Sequence, residues 1–131
     1  MGSFDHLRTQ RTVALTTFRK DGTGVSTPVS VVVAGEHAYV RTWSTAGKAK
    51  RLRRDPHVLI APSTVRGTPT GPAIEATARL LDADGSAIAR KLLSEKHPLL
   101  HGVLVPWIHR LRGNTTIHYE LSAAEPTSPN A

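Results

Sequence analysis

The chain has 131 residues, a formal net charge of +7 and no cysteine. Its length is typical of a single domain, and the missing cysteines exclude disulfides, thiol catalysis and Cys-based zinc sites. No apolar run approaches the ~20 residues of a membrane span, and the first residues, MGSFDHLRTQ, form no hydrophobic signal segment. We therefore expect a cytoplasmic protein with no membrane partner.

Alternating apolar and polar residues, separated by turn sequences, predict a mainly β chain with a few helices. Asp21-Gly22 and Gly35-Glu36 are typical of turns between paired strands. The predicted elements, in chain order, are a short helix at 3–12 anchored by Phe4 and Leu7, strands at Val13–Arg19, Val25–Val33 and His37–Trp43, a basic helix at 45–54, strands at His57–Ser63 and Pro72–Leu81, a helix at Ser86–Leu93 capped by Ser86, and a strand at Thr115–Leu121.

Six short strands joined mostly by hairpins predict an antiparallel sheet that closes on itself, because closure hides the sheet edges. Pro28 lies inside the second strand, which requires an edge, a bulge or a position outside the hydrogen-bond ladder. We assign residues 1–122 to one barrel domain. The polar segment 123–131 contains two prolines and is predicted to be a disordered tail.

The sequence AYVRTWSTAGKAKRLRRDP runs from a strand through a hydroxyl-rich turn into a helix that holds five of the 17 basic residues. Unpaired N–H groups and the positive end of the helix dipole make such a helix start a favourable place for a phosphate. We expect Lys48 to contact the anion, with Lys50 or Arg51 reinforcing it, and Arg53 and Arg54 to be solvated. The alternative, that the charges are simply the solvated face of a helix, stays open.

Other chemistries find less support. Ala49 stands where a P-loop has Ser or Thr, and Thr42 stands where it has Gly. The seven histidines show no metal-ligand spacing, so no metal is expected. No GxSxG motif or pair of carboxylates indicates hydrolysis. Nucleic-acid binding needs aromatic residues among basic ones, and Tyr39 and Trp43 are too few, so no nucleic-acid partner is expected.

Three segments together resemble a known family: LTTFRKDGTGVSTPVSVVV, AYVRTWSTAGKAKRLRRDPHVLIAPS and RGTPTGPAIEATARLL. They resemble the split β-barrel flavin and deazaflavin oxidoreductases related to pyridoxamine 5′-phosphate oxidase, and in particular the PPOX-class F420-dependent enzymes. The resemblance covers residues 10–82 well and 115–121 weakly. It implies a six-stranded antiparallel Greek-key split β-barrel, a homodimer with two cofactor sites in the subunit interface, and coenzyme F420 as the cofactor.

The resemblance also assigns cofactor-binding residues. Thr42 and Ser44 have an alternative role as ordinary strand-end caps. No catalytic residue is assigned, because the deazaflavin itself passes the hydride and solvent or a backbone group can deliver a proton. The assigned residues are Pro28, Val29 and Ser30 beside the ring, Ala61, Pro62 and Ser63 flanking it from a second strand, and Thr42, Ser44, Gly47, Lys48, Lys50 and Arg51 around the phosphate or the acidic tail.

The activity implied by the resemblance is hydride transfer from reduced F420 to a conjugated or otherwise electrophilic small molecule. An FMN-binding oxidase or reductase of the same fold is an alternative, as is a non-catalytic F420- or tetrapyrrole-binding protein. Residues 94–113 depart from the family pattern. Within them, Trp107 and His109 either border the substrate pocket or pack in the core or the subunit interface.

Overall fold

The computed structural model describes residues 3–43, 46–96 and 116–123. Six antiparallel strands form one closed barrel, which confirms the predicted fold class. The elements are a 3-10 helix at Asp5–Leu7, strands β1 (Thr12–Phe18), β2 (Gly24–Ala34) and β3 (His37–Trp43), helix α1 (Gly47–Arg54), strands β4 (His57–Pro62) and β5 (Ile74–Leu80), helix α2 (Ala83–Lys96) and strand β6 (Thr116–Ala123).

The order of strands around the barrel is β1-β2-β3-β6-β5-β4, and β4 returns to pair with β1. Alternate side chains point inward, as Val13 and Leu15 do in β1 and Ala76 and Ala78 do in β5. These inward side chains form one hydrophobic core. Side chains between them face outward, so the outer surface of the barrel is available to helices and ligands.

Strand β2 pairs with two different strands along its length. Residues 24–30 pair with β1, and residues 31–34 pair with β3. Pro28 pairs with Ala14 in the first stretch, where the described residues place no strand on its other side. This position confirms the requirement predicted for Pro28, because proline has no N–H to donate to a second ladder.

Two helices pack on the barrel. Helix α1 buries Ala49 and Leu52 and lies against β1 and β3. Helix α2 buries Ala89 and Leu93 and covers part of β2, β3 and β6. Within the part of the chain that the structure describes, neither these helices nor any other is long and apolar enough to cross a bilayer.

The predicted N-terminal helix at 3–12 is wrong. Only a 3-10 turn forms there, at Asp5–Leu7, and the chain is already a strand from Thr12. Phe4 and Leu7 are nonetheless fully buried, which confirms them as the anchor of this segment. The segment is therefore held by these two side chains, because a single turn contributes little helix stability of its own.

The predicted start of the second helix is also wrong. Helix α2 begins at Ala83, so Ser86 lies inside it. The Asp82 Oδ1 atom accepts a hydrogen bond from the Gly85 N–H at 2.8 Å, and the Asp82 carbonyl accepts one from the Ser86 N–H at 2.8 Å. Asp82 is therefore the residue that caps the helix.

A row of polar side chains joins three strands on the outer surface. Glu120 of β6 pairs in register with Tyr39 of β3 and Arg79 of β5. Its carboxylate accepts hydrogen bonds from the Tyr39 hydroxyl at 3.1 Å and from Arg79 Nη2 at 2.9 Å. Burial favours the neutral acid, but these hydrogen bonds outweigh it and lower the pKa of Glu120.

Candidate functional site

A groove of about 460 Å³, which we call the basic groove, opens between the β1–β2 hairpin and one face of α1. The helix residues that line it follow the i, i+3, i+4, i+7 spacing of a single helix face. Five of its six lining residues are cationic and none is acidic, so the groove is suited to a polyanion. The lining consists of Arg19, Lys20, Gly47, Lys50, Arg51 and Arg54.

Arg51 is held at the inner wall of the basic groove. Its Nε–H donates a hydrogen bond of 2.6 Å to the Oγ1 atom of Thr17, which is fully buried at the end of β1. Arg54 Nη2 donates to the Phe18 carbonyl at 2.8 Å. Arg54, expected to be only solvated, therefore both lines the groove and ties α1 to β1.

Gly47 allows Arg51 to lie against the first turn of α1. A Cβ atom built on Gly47 would lie 2.9 Å from Arg51 Nη1, a distance that real Cβ atoms essentially never show. Any larger residue at this position would push the guanidinium away. The glycine thus leaves open the space that the Arg51 guanidinium occupies.

Lys48 does not line the basic groove. Its side chain is half-buried, and burial, followed by the nearby positive charge of Arg51, lowers the pKa of its ammonium group. A bound anion would favour the charged form again. Lys48 therefore lies near Arg51 but outside the groove, which differs from the expectation that it would be the first contact.

Helix α1 begins without local compensation of its positive end. Its N-cap, Ala46, makes no side-chain cap hydrogen bond, and its first turn has no acidic residue. Such a helix start favours an anion. Ser44, assigned to the phosphate by resemblance, lies outside the described residues, and Thr42 is 8% exposed on the inward side of β3.

The residues assigned to the ring lie in two strands that flank β1. Pro28 and Ala61 both pair with Ala14, while Val29 and Pro62 both pair with Val13. Val29 is buried in the core, so only its backbone is available to a ligand. Ser30 continues the same strand opposite Thr12. The register thus brings the two assigned ring segments to opposite sides of one strand.

A tight loop between β4 and β5 packs on both ring segments. Gly67 has a φ of +93° and lies so close to Pro28 that an added Cβ would be 3.1 Å from its Cδ atom. A Cβ on Gly71 would be 2.8 Å from Pro62 Cγ. Ser63 is buried and bridges to Pro69 within the loop, and its hydroxyl donates to the Thr64 carbonyl at 2.9 Å. This contact uses the one hydrogen-bond donor of the Ser63 hydroxyl.

The structure also adds residues that sequence reasoning misses. Arg19 and Lys20 enter the groove because the hairpin turn brings them opposite α1, and Thr17 becomes the partner of Arg51. The only signal in the sequence is the Arg-Lys pair before Asp21-Gly22. Trp107 and His109 fall outside the described residues. Within residues 3–43, 46–96 and 116–123, no three His, Asp or Glu side chains converge as a metal site.

Among the comparisons with known proteins, only the one with solved structures finds similar proteins, and it shows the fold. No family model matches the sequence, and no curated protein matches it. Thirty-seven chains among the solved structures do match.

Three of these structures illustrate the range of proteins that share this fold. A candidate pyridoxamine 5′-phosphate oxidase from Listeria innocua has a TM-score of 0.64 and 16% identity, covering 91% of this chain and 88% of its own. The haem storage protein HutZ of Vibrio cholerae has a TM-score of 0.66 and 16% identity, with coverages of 94% and 89%. An F420 reductase has a TM-score of 0.58 and 14% identity, with 95% of both chains covered. The chain therefore has the split β-barrel fold of the proteins related to pyridoxamine 5′-phosphate oxidase.

Proposed function

We propose that this protein is an F420-dependent oxidoreductase that reduces a conjugated or otherwise electrophilic small molecule. The observation that carries the proposal is the basic groove, with five cations and no carboxylate among its lining residues. F420 has a phosphate and an acidic lactyl-glutamate tail, so it needs an extended cationic surface. The net charge of +7 adds long-range attraction for such a ligand.

The residues at the start of α1 fit a phosphorylated cofactor. Gly47 lets the Arg51 guanidinium lie against the first turn of α1, and no carboxylate in the groove lining competes for that guanidinium. Lys48 lies near enough to Arg51 for their charges to interact. We assign the phosphate to the Arg51 guanidinium at the start of α1, with Lys48 acting from beside the groove, and the acidic tail to the exposed groove cations Lys20 and Lys50.

The outer face of β1, β2 and β4 fits the ring. Ala14, Pro28 and Ala61 form one row across these strands, and the neighbouring outward residues are uncharged. Pro28 is exposed, whereas Ala14 and Ala61 are 3% and 4% exposed, so a ring would contact this row mainly at Pro28. This platform would orient a planar ring and exclude water from one of its faces. When bound, the reduced deazaflavin supplies the hydride. We infer that a second copy of the chain covers this face and completes the cofactor site, as the resemblance implies.

FMN is the second candidate cofactor, because its phosphate suits the same helix start. It offers fewer negative charges, however, and would leave most cations of the basic groove without a counter-charge, which favours F420. The structural similarity to a haem storage protein supports a third candidate, a non-catalytic tetrapyrrole carrier. Titration with haem followed by its Soret absorption tests that candidate directly.

The first test is a fluorescence titration of the purified protein with F420, with FMN titrated in parallel. We expect saturable, micromolar or tighter binding of F420 and weak binding of FMN. Tight FMN binding with F420 ignored would place the protein among the flavin enzymes. Binding of neither cofactor would overturn the proposal. Oxidation of reduced F420 by a panel of enones and other conjugated acceptors then tests turnover.

Substitutions in α1 test where the phosphate binds. Lys48→Ala should weaken F420 binding by ~1.5–3 kcal/mol, the range for a charge-assisted contact. Arg53→Ala is the matched control, because Arg53 is an exposed cation in the last turn of the same helix, away from its start, and its loss should cost under ~0.5 kcal/mol. Equal effects of the two substitutions would contradict the assignment of the phosphate to the helix start.

A further inference from the structure

The end of β1 contains a polar residue where the strand pattern calls for an apolar one. The inward positions of β1 are Val13, Leu15 and Thr17, and the first two belong to the hydrophobic core. Thr17 is fully buried as well. A valine would have the same shape, and burying a hydroxyl is unfavourable unless it is hydrogen-bonded. The Thr17 hydroxyl accepts the hydrogen bond of 2.6 Å from Arg51 Nε, so its partner is the groove arginine.

The type of acceptor matters for the charge of Arg51. Arg79 shows the usual arrangement, in which the guanidinium is neutralised by the Glu120 carboxylate at 2.9 Å. Arg51 is instead held by a neutral hydroxyl, and no acidic residue lines the groove beside it. The hydrogen bond thus fixes the orientation of the Arg51 guanidinium without neutralising its positive charge.

The bond to Thr17 also decides which N–H groups stay available. A guanidinium has five N–H donors, and a bond at Nε leaves the four on Nη1 and Nη2. On the Nη1 side, Gly47 has no side chain to occupy the space next to the guanidinium. Two parallel N–H donors on a planar group match the two oxygens of a phosphate or a carboxylate.

We propose that Thr17 is a positioning residue that presents the Arg51 guanidinium as a two-pronged receptor for an oxyanion of the ligand. The inference deepens the proposed F420 function and rests on it for the identity of the ligand. The oxyanion is either the cofactor phosphate or a carboxylate of its tail, which have the same two-oxygen geometry. Thr17 does not touch the ligand and acts through Arg51.

The test compares Thr17→Val with Thr17→Ser, which keeps the hydroxyl. Three ligands are titrated: F420, its form without the glutamate tail, and the deazariboflavin that lacks both the tail and the phosphate. We expect Thr17→Val to weaken F420 binding about tenfold, the loss typical of a hydrogen bond to a charged group, and Thr17→Ser to restore most of it. An equal loss for the deazariboflavin would overturn the proposal, because Thr17 would then act through the fold.

The other two ligands identify the oxyanion. A loss shared by F420 and its tail-free form assigns the receptor to the phosphate, whereas a loss confined to F420 assigns it to a tail carboxylate. A double-substitution cycle separates positioning from stability. In an Arg51→Met background, Thr17→Val should cause no further loss of affinity. A further loss of about tenfold in that background would contradict action through Arg51.

Inorganic pyrophosphate serves as a probe that does not depend on the deazaflavin. It should raise the thermal unfolding temperature of the wild type and of Thr17→Ser more than that of Thr17→Val. If pyrophosphate shows this pattern while F420 does not bind the wild type, the cofactor assignment fails and the role of Thr17 stands. If F420 binds and Thr17→Val behaves like the wild type with both ligands, the role of Thr17 fails alone.

Discussion

At the scale of single residues, Gly47 determines how closely Arg51 can lie against the start of α1. Gly47→Ala would place a methyl group 2.9 Å from Arg51 Nη1, and the end of that flexible side chain would have to move. We expect F420 affinity to fall about tenfold while the free energy of unfolding changes by less than ~1 kcal/mol, because alanine is the better helix former. Isothermal titration and urea unfolding measure the two effects.

Lys50→Ala is the control for the Gly47 substitution, because it removes a groove cation without moving Arg51. It should weaken F420 binding and make that binding less sensitive to salt, since one cation of the groove is lost. A Gly47→Ala variant that binds F420 as tightly as the wild type would show that the ligand does not need the observed position of Arg51.

The sequence predicts the groove residues of α1 but not those of the hairpin, for a physical reason. Gly47, Lys50 and Arg51 share one helix, so their common face follows from local spacing. Arg19 and Thr17 reach the same place only through the packing of β1 against α1. The Thr17–Arg51 contact, for example, joins residues more than 30 positions apart in the chain. Local patterns carry no information about such contacts.

At the scale of secondary structure elements, Asp82 caps α2 although Ser86 is the better local candidate by its position before the apolar run. Asp82→Ala should lower the free energy of unfolding by ~1 kcal/mol, the usual loss for a helix cap. Ser86→Ala should change it by less than ~0.5 kcal/mol. Chemical denaturation of both variants measures the difference, and the reverse order of effects would mean that the helix starts at Ser86.

Most elements are predictable to within one or two residues because strands alternate and turns have distinct residues. The failure at 3–12 has a different cause. Phe4 and Leu7 are spaced like a helix face, but both are buried by the barrel and the helix does not continue. Burial, and not helix formation, explains that spacing.

At the scale of the whole molecule, the hydrogen bonds among Tyr39, Glu120 and Arg79 connect three of the six strands, β3, β6 and β5. Since the pKa of Glu120 is lowered in the folded state, its contribution to stability is present above the unfolded pKa and is lost as the pH falls through the folded pKa. Glu120→Gln should lower the free energy of unfolding at pH 7 by about 1–2 kcal/mol.

The pH dependence provides the check on this prediction. The difference in the free energy of unfolding between wild type and Glu120→Gln should shrink below the ordinary glutamate pKa of 4.5 and vanish at still lower pH. Unfolding by urea across pH 3–7 measures it. Glu36→Gln, at an exposed turn, should match the wild type throughout. A difference for Glu120→Gln that stays constant across this range would assign the effect to packing.

Pro28 also affects how the barrel behaves in a crowded solution. The stretch 24–30 of β2 has β1 as its neighbour, and among the described residues no strand lies on its other side. Unpaired backbone groups on such a strand edge can pair with an extended segment from another molecule and start aggregation. A proline in the middle of that edge removes an N–H donor and interrupts the hydrogen-bond ladder that an incoming chain could form. The same residue that the resemblance places beside the ring therefore hinders strand pairing along this edge, whereas the inferred second copy would cover the face of the sheet.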